Sequence, residues 1–263
     1  MALKRQKRNV KIIFPSTITT FSMVIGFVAI LLATNGQIHK ACYLIMVCIL
    51  MDGLDGKVAR LTNTASEFGI QYDSLADLVA FGVTPCVIYA RFFLHQQVTD
   101  QIYYLLPMMF LICGAIRLAR FNVTASIYGK SFFTGLPIPA AAFMLAILPL
   151  LHRWALNSPA IKKMGWLDFF TLENYFQFSI FMIAALGWSM ISTLKFDTPT
   201  GFWLRRFKSK ALNYLVIGLF LSLIFIDFSV FGAAISLYYL AFNYGRAIHS
   251  RTRRGDTTLT DPS

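Results

Sequence analysis

Apolar stretches of about twenty residues recur along almost the whole chain and alternate with short polar segments. A stretch of roughly 20 apolar residues is long enough to cross a bilayer as a helix, so the pattern predicts an all-α polytopic membrane protein. The last two stretches are short, and Asp227 between them predicts a tight hairpin at one membrane face. About eight spans are predicted, over residues 14–34, 40–61, 72–94, 103–122, 136–152, 174–194, 211–226 and 229–247.

Composition agrees with this class, since 57% of the residues are hydrophobic and 14% are charged. The basic cluster Lys4–Lys11 precedes an apolar run, as in a secretory signal, but the run over 12–33 is too long and has no small-residue cleavage site. We therefore predict a retained first helix. The predicted organisation is a basic cytoplasmic segment 1–13, a transmembrane domain 14–247 and a disordered cytoplasmic tail 248–263.

The distribution of basic residues predicts the orientation. With eight spans both termini lie on one side, and that side carries 19 of the 24 Lys and Arg residues. By the positive-inside rule both termini are cytoplasmic. The net charge of +12 is then explained by loops that rest against anionic headgroups. Because this charge is spread over several loops, we predict no nucleic-acid partner. The expected location is the bacterial inner membrane.

One cluster of acidic residues stands out, because five of the twelve acids fall within 26 positions at the end of the second span and the start of the third. A carboxylate at mid-membrane costs about 2.5–3.5 kcal/mol, and four cost on the order of 10 kcal/mol unless they are paired or bind cations. This expense points to a functional site. The pattern reads Asp52-x-x-Asp55-Gly56-x-x-Ala59-Arg60, eight residues, then Gly69-x-x-x-Asp73-x-x-x-Asp77.

The spacing of the acids predicts a metal site. Asp52 and Asp55 share one helical face, as do Asp73 and Asp77, so two pairs of carboxylates face each other if the chain turns back between them. Such oxygen ligands suit Mg²⁺ or Mn²⁺, with Ca²⁺ as a possible occupant, and do not suit Zn²⁺. Four carboxylates also suit two ions about 3.5–4 Å apart, the arrangement that serves phosphoryl transfer.

The other residues of the pattern fit a phosphate ligand. Gly56, Ala59 and Gly69 leave space near the metals. Arg60 can pair with phosphate oxygens, and Ser66 can donate a hydroxyl. Each has a structural alternative: the glycines can serve close helix packing, Arg60 can anchor the helix at the membrane surface, and Ser66 can be a cap or loop residue.

The eight specified residues together resemble the signature of the CDP-alcohol phosphotransferase family. The resemblance implies a core of six membrane helices, usually in a homodimer, and displacement of CMP from a CDP-linked lipid by a hydroxyl. It implies two divalent cations held by Asp52, Asp55, Asp73 and Asp77, and it makes Asp77 the catalytic base as well. The residues then expected to contact the CDP-linked lipid are Ser16, Thr19, Gly56, Ala59, Arg60, Ser66 and Gly69.

Three further stretches, 81–85, 117–122 and 134–140, look like the integral-membrane phosphatidylserine synthases of this family. These join CDP-diacylglycerol to L-serine, so both substrates are expected here, together with bilayer lipids. The first helix departs from that branch, which often begins Pro-Asn-x-x-Thr, because Ser16 replaces the asparagine. Thr19 is therefore the better candidate for the CDP pocket.

L-Serine carries a carboxylate, which needs a fixed cation. Arg117 and Arg120 lie three apart on one face of the fourth span, near the predicted level of the metals, and Asn122 follows. We predict that these three residues form the serine pocket, with one arginine binding the carboxylate through paired donors. The alternative is that both arginines are positive-inside anchors.

Two other functions stay open at this stage. The same signature serves phosphatidylglycerophosphate, phosphatidylinositol-phosphate and phosphatidylcholine synthases, whose acceptors call for a denser basic cluster or an aromatic cage. An acid cluster also suits a divalent-cation transporter, although transport predicts acids spread over the membrane depth and repeated halves.

Direct in-line attack by the serine hydroxyl, with Asp77 as base, is the predicted mechanism.

Overall fold

The computed structural model describes residues 2–62, 67–95, 102–128, 135–194 and 227–257, and within these ranges it contains helices and no strand. The first helices are α1 (Ala2–Thr34) and α2 (Ile38–Thr62). A continuous helical segment follows, made of α3 (Glu67–Asp77), a π-helical turn (Leu78–Val83) and α4 (Thr84–His95). The remaining elements are α5 (Ile102–Tyr128), α6 (Ile138–Asn157), α7 (Pro159–Met164), a 3₁₀ turn (Trp166–Phe170), α8 (Leu172–Ile191) and α9 (Phe228–Thr257).

Five helical segments of the described chain are long and apolar enough to cross a membrane. They correspond to the first, third, fourth, fifth and sixth predicted spans, and they confirm the prediction of an all-α polytopic membrane protein. α2 covers the second predicted span and α9 the eighth, whereas the seventh, 211–226, lies outside the described residues. The number of spans and the side of the termini stay predictions. The five segments are Thr17–Thr34, Glu67–Phe93, Leu105–Val123, Ile138–Asn157 and Glu173–Ile191.

Two helices extend beyond the predicted spans. α1 begins at Ala2 and so includes the predicted basic segment, and α9 continues to Thr257, inside the predicted tail.

α6 lies at the centre of the bundle. It contacts α2, α4, α8 and α9, and most of its side chains are buried. As far as Leu151, α6 is apolar on all sides, and a helix of this kind is stable when other helices surround it. α1 and α2 form an antiparallel hairpin through a turn at Gly36, whose φ of 77° favours glycine. Large exposed side chains such as Phe21, Phe181 and Trp188 lie on the outer surface, where lipid chains are expected.

The π-helical turn begins directly after Asp77 and packs closely against α1. A Cβ on Gly26 would lie 3.0 Å from Cα of Ala80, so glycine permits this approach. Thr84 Oγ1 lies 3.2 Å from the carbonyl oxygen of Gly26 and 2.9 Å from that of Val79, and donates its hydrogen between them. The carbonyl of Val79 also accepts the backbone N–H of Thr84, which is the i to i+5 bond of a π turn, so the hydroxyl of Thr84 adds a link from this turn to α1. The segment that carries Asp77 is thereby held against α1.

Candidate active site

Three of the four predicted metal ligands meet in one place. Asp52 in the second half of α2, and Asp73 and Asp77 on α3, each offer a carboxylate oxygen, and these oxygens lie within 4.8 Å of one another. All three residues are partly buried. Mg²⁺, Mn²⁺ or Ca²⁺ bound at about 2.0–2.6 Å holds its oxygen ligands roughly 3–5 Å apart, so the cluster fits such a cation with little adjustment. The turn-by-turn spacing of Asp73 and Asp77 places both on the face of α3 that meets Asp52.

Several predicted site residues lie beyond what the structure describes. Ser66 is outside the described residues. For five others the structure describes the backbone, on α1 or α2, but not the surroundings of the residue: Ser16, Asp55, Gly56, Ala59 and Arg60. Asp55 lies three residues after Asp52 on α2, which is the spacing that would place both on one face of that helix.

Thr19 and Gly69 can be placed in the fold. Thr19 is buried on α1, and Gly69 is partly buried on α3, one turn before Asp73. α1 and α3 are joined beside these residues by a hydrogen bond of 2.7 Å between the hydroxyls of Thr20 and Tyr72. Sequence reasoning missed this pair, because neither residue belongs to the acidic pattern.

Arg117 lies beside the aspartates. It is 6% exposed, although it is an arginine, and it interacts electrostatically with Asp77 and, more weakly, with Asp52. The guanidinium carbon lies 5.8 Å from the ring centre of Phe121 on the same helix. Tyr239 of α9, itself buried, also interacts electrostatically with Arg117. A buried guanidinium with acidic neighbours is a suitable partner for a substrate carboxylate or phosphate.

Arg120 has a different environment, although it lies only three residues further along α5. Its Nη1 donates to the carbonyl of Ile191 across 2.7 Å, and its Nη2 lies 3.2 Å from the carbonyl oxygen of Ser192 and 3.3 Å from that of Met190. These carbonyls belong to the end of α8, where a helix has no internal donors for them. Arg120 therefore caps α8, and the predicted contact with serine competes with this use of its donors.

Asn122 connects α5 to α3. Its side-chain amide donates to Gln71 Oε1 and to Ser74 Oγ, both across 3.0 Å. Ser74 lies between Asp73 and Asp77 in sequence, so this bond helps to set the position of the helix that carries both acids. The predicted serine contact of Asn122 competes with these bonds. Gln71 and Ser74 were not predicted, and their only sequence signal is that they are polar residues at the start of an apolar span.

Comparison with known proteins gives a consistent assignment. The family model for CDP-alcohol phosphatidyltransferase matches residues 12–186. A CDP-diacylglycerol–serine O-phosphatidyltransferase of Helicobacter pylori is 36% identical over 214 residues, covering 81% of this chain and 82% of that protein. A protein of the same description from Mycobacterium tuberculosis is 37% identical over 153 residues, covering 56% of this chain and 52% of its own length.

A third relative has a different description. The archaetidylserine synthase of Methanothermobacter thermautotrophicus is 36% identical over 139 residues, covering 51% of this chain and 57% of that protein. The region matched by the family model, residues 12–186, includes the acidic pattern and the helices that hold it, as the resemblance of the signature predicted. The chain therefore belongs to the CDP-alcohol phosphatidyltransferase family.

Proposed function

We propose that this membrane enzyme transfers the phosphatidyl group of CDP-diacylglycerol to the hydroxyl of L-serine, giving phosphatidylserine and CMP. The observation that carries the proposal is the meeting of three carboxylates within 4.8 Å beside the buried Arg117. Family membership supports the reaction class, and the descriptions of the Helicobacter and Mycobacterium relatives support serine as the acceptor.

Asp52, Asp73 and Asp77, with Asp55 as the fourth ligand, would hold two divalent cations, with Mg²⁺ or Mn²⁺ preferred and Ca²⁺ able to occupy the site. When bound, the cations would offset the negative charge of the pyrophosphate and of the departing CMP. The chemistry of the ligand set supports this, since three close carboxylates are costly in a membrane protein without a positive partner.

In the proposed reaction Asp77 accepts the proton of the serine hydroxyl. The serine oxygen forms a bond to the phosphorus of the phosphatidyl group, in line with the bond that breaks, and CMP leaves with the bridging oxygen. Asp77 is suited to this because it lies at the junction of α3 and the π-helical turn, and Thr84 at the far end of that turn holds the segment against α1.

Arg117 is the proposed partner of the serine carboxylate. It is buried beside Asp77, so a carboxylate bound to it would bring the serine hydroxyl near the base. Arg120 and Asn122 remain candidates for the same pocket, although their described hydrogen bonds favour a supporting role.

The CDP-linked lipid would lie along α1, α2 and α3. Thr19 and Gly69 border that region, and the proposal also assigns Ser16, Gly56, Ala59, Arg60 and Ser66 to it on the basis of the signature. The acyl chains stay in the bilayer while the headgroup reaches the aspartates, so the lipid enters from the side.

We also propose that the enzyme is a homodimer in the inner membrane, with its active site on the cytoplasmic face.

The test is an acceptor panel with purified protein. CDP-diacylglycerol and Mn²⁺ or Mg²⁺ are supplied with serine, glycerol 3-phosphate, inositol phosphate or choline in separate reactions, and CMP release is measured. We expect release with serine and at least tenfold less with each other acceptor. Release with glycerol 3-phosphate but not with serine would overturn the proposed acceptor and leave the family assignment intact.

A further inference from the structure

A cavity lies at the end of the bundle opposite the aspartates. It has a volume of about 290 Å³, and its polar lining comes from His39, His152, Arg153 and Asn157. His39 precedes Asp52 by thirteen residues of the same helix, which at 1.5 Å per residue is about 20 Å. The groups of this cavity therefore take no part in the proposed reaction.

A second cavity of about 560 Å³ adjoins the first, and Arg153 and Asn157 line both. Its lining also includes Tyr43, Trp154 and Asp227. The carboxylate of Asp227 accepts hydrogen bonds from the backbone N–H and the hydroxyl of Ser229, at the start of α9. Asp227 thus has local partners, and the two cavities form one groove with Arg153 at its middle.

The guanidinium of Arg153 has N–H donors available for a ligand. Its side chain is exposed, and within the described part of the chain its guanidinium makes no hydrogen bond or ion pair. Arg91, at the same end of the bundle, differs because its guanidinium donates to the carbonyl of Thr34.

His39 also has unused hydrogen-bonding capacity. It is partly buried, and its Nδ1 has no hydrogen-bond partner among the described residues. Burial, together with the nearby Arg153 and His152, lowers the pKa of His39, so the ring is neutral at neutral pH and carries one N–H donor. His152 is buried and its Nε2 donates to the carbonyl of Phe170 across 3.1 Å, so it forms a fixed wall of the cavity.

We propose that this groove binds the phosphate of an anionic phospholipid in the leaflet opposite the active site. A guanidinium binds phosphate through paired donors, and the neutral imidazole and the Asn157 amide add further donors without adding charge. Trp154 and Tyr43 suit the headgroup level of the bilayer. Phe92 and Leu156 complete the smaller cavity with apolar surface, which can receive the glycerol end of a lipid.

The size of the cavity agrees with this ligand. Water occupies about 30 Å³ per molecule in the liquid, so 290 Å³ admits a phosphate group and several waters. The groove also reaches the surface of the described bundle, because Tyr43, which lines the second cavity, is half exposed. A lipid headgroup can therefore enter while its chains stay in the membrane.

The test is thermal melting of the detergent-purified protein during titration with phosphatidylglycerol. Wild type and the control Lys163→Gln, which removes an exposed lysine outside both cavities, are expected to gain stability at the same lipid concentration. Arg153→Gln is expected to need at least fivefold more lipid for the same shift, and Arg153→Lys to fall between. An Arg153→Gln titration that coincides with wild type would overturn the proposal.

A parallel titration with inorganic phosphate distinguishes the source of the phosphate. A shift with phosphatidylglycerol that phosphate does not reproduce supports the lipid. An Arg153-dependent shift that phosphate reproduces in full would overturn the lipid as the ligand. Melting does not depend on CMP release, so this result is independent of the proposed reaction. Arg153→Gln is also expected to keep wild-type CMP release.

Discussion

Arg120 Nη1 donates a hydrogen bond to the carbonyl oxygen of Ile191 across 2.7 Å, which joins α5 to the last residue of α8. The loop before α6 binds the same end of α8, because the N–H of Gly135 donates to the carbonyl of Leu194 and the N–H of Leu136 donates to the carbonyl of Ser189. Three elements are thus held together one helical turn from Arg117. The helix itself leaves the carbonyls at its end unpaired. The carbonyls of residues 189–192 and 194 all accept hydrogen bonds from Arg120 or from the loop before α6.

Replacement of Arg120 is expected to lower stability more than serine affinity. Arg120→Ala removes the donors of three carbonyls, and we expect a loss of about 1–3 kcal/mol in the free energy of unfolding, seen as a lower melting temperature in detergent. The KM for serine and the KM for CDP-diacylglycerol should change by similar factors. An unchanged melting temperature with a raised KM for serine alone would instead support the direct serine contact predicted from sequence.

Gly135→Ala is expected to be strongly destabilising. Gly135 has a φ of 85°, and a Cβ there would lie 2.3 Å from the carbonyl oxygen of Met190 and 2.9 Å from Arg120 Nη2. Gly165→Ala is a matched control, because Gly165 has a φ of 72° but open space around its Cα. Melting curves should show a larger loss for Gly135→Ala, and equal losses would mean that strain in φ alone explains the effect.

Arg117→Gln should raise the KM for serine at least tenfold and leave the KM for CDP-diacylglycerol within about threefold of wild type. Arg117→Lys keeps the charge but loses the paired donors, so it should recover only part of the serine affinity. Steady-state CMP release at varied serine and varied lipid measures both constants. Equal effects on the two substrates would contradict a carboxylate pocket at Arg117.

Asp77→Asn should lower turnover by about 10²–10⁴-fold or more, because it removes the proposed base together with one charged ligand. The remaining carboxylates should still bind at least one ion, and Mn²⁺ binding measured by electron paramagnetic resonance tests this. Asp52→Asn is the companion variant, which keeps the base and changes a ligand. If Asp77→Asn retained full turnover, Asp77 would not be the base.

Removal of divalent cations with EDTA should abolish CMP release, and Mg²⁺ or Mn²⁺ should restore it. Zn²⁺ should not restore it, since the ligand set consists of carboxylate oxygens. Turnover that persists after exhaustive chelation would show that the aspartates act without a cation.

Local sequence patterns determined the elements and their faces. The apolar stretches predicted the membrane helices because span length follows from bilayer thickness, and the spacing of Asp73 and Asp77 predicted a shared face because an α-helix repeats every 3.6 residues. The same spacing rule grouped Arg117 with Arg120, and here it was incomplete. Both lie on nearby positions of α5, but one meets the aspartates and the other meets α8.

Only the tertiary structure decided which distant groups become partners. The carbonyls that Arg120 caps lie about seventy residues further along the chain, and Tyr239 reaches Arg117 from the last described helix. Asn122 finds Gln71 and Ser74 for the same reason, since helix packing brings α5 against α3. Sequence alone placed the carboxylates at the end of the second predicted span and the start of the third. The packing of those helices decided that three of them converge beside a buried guanidinium.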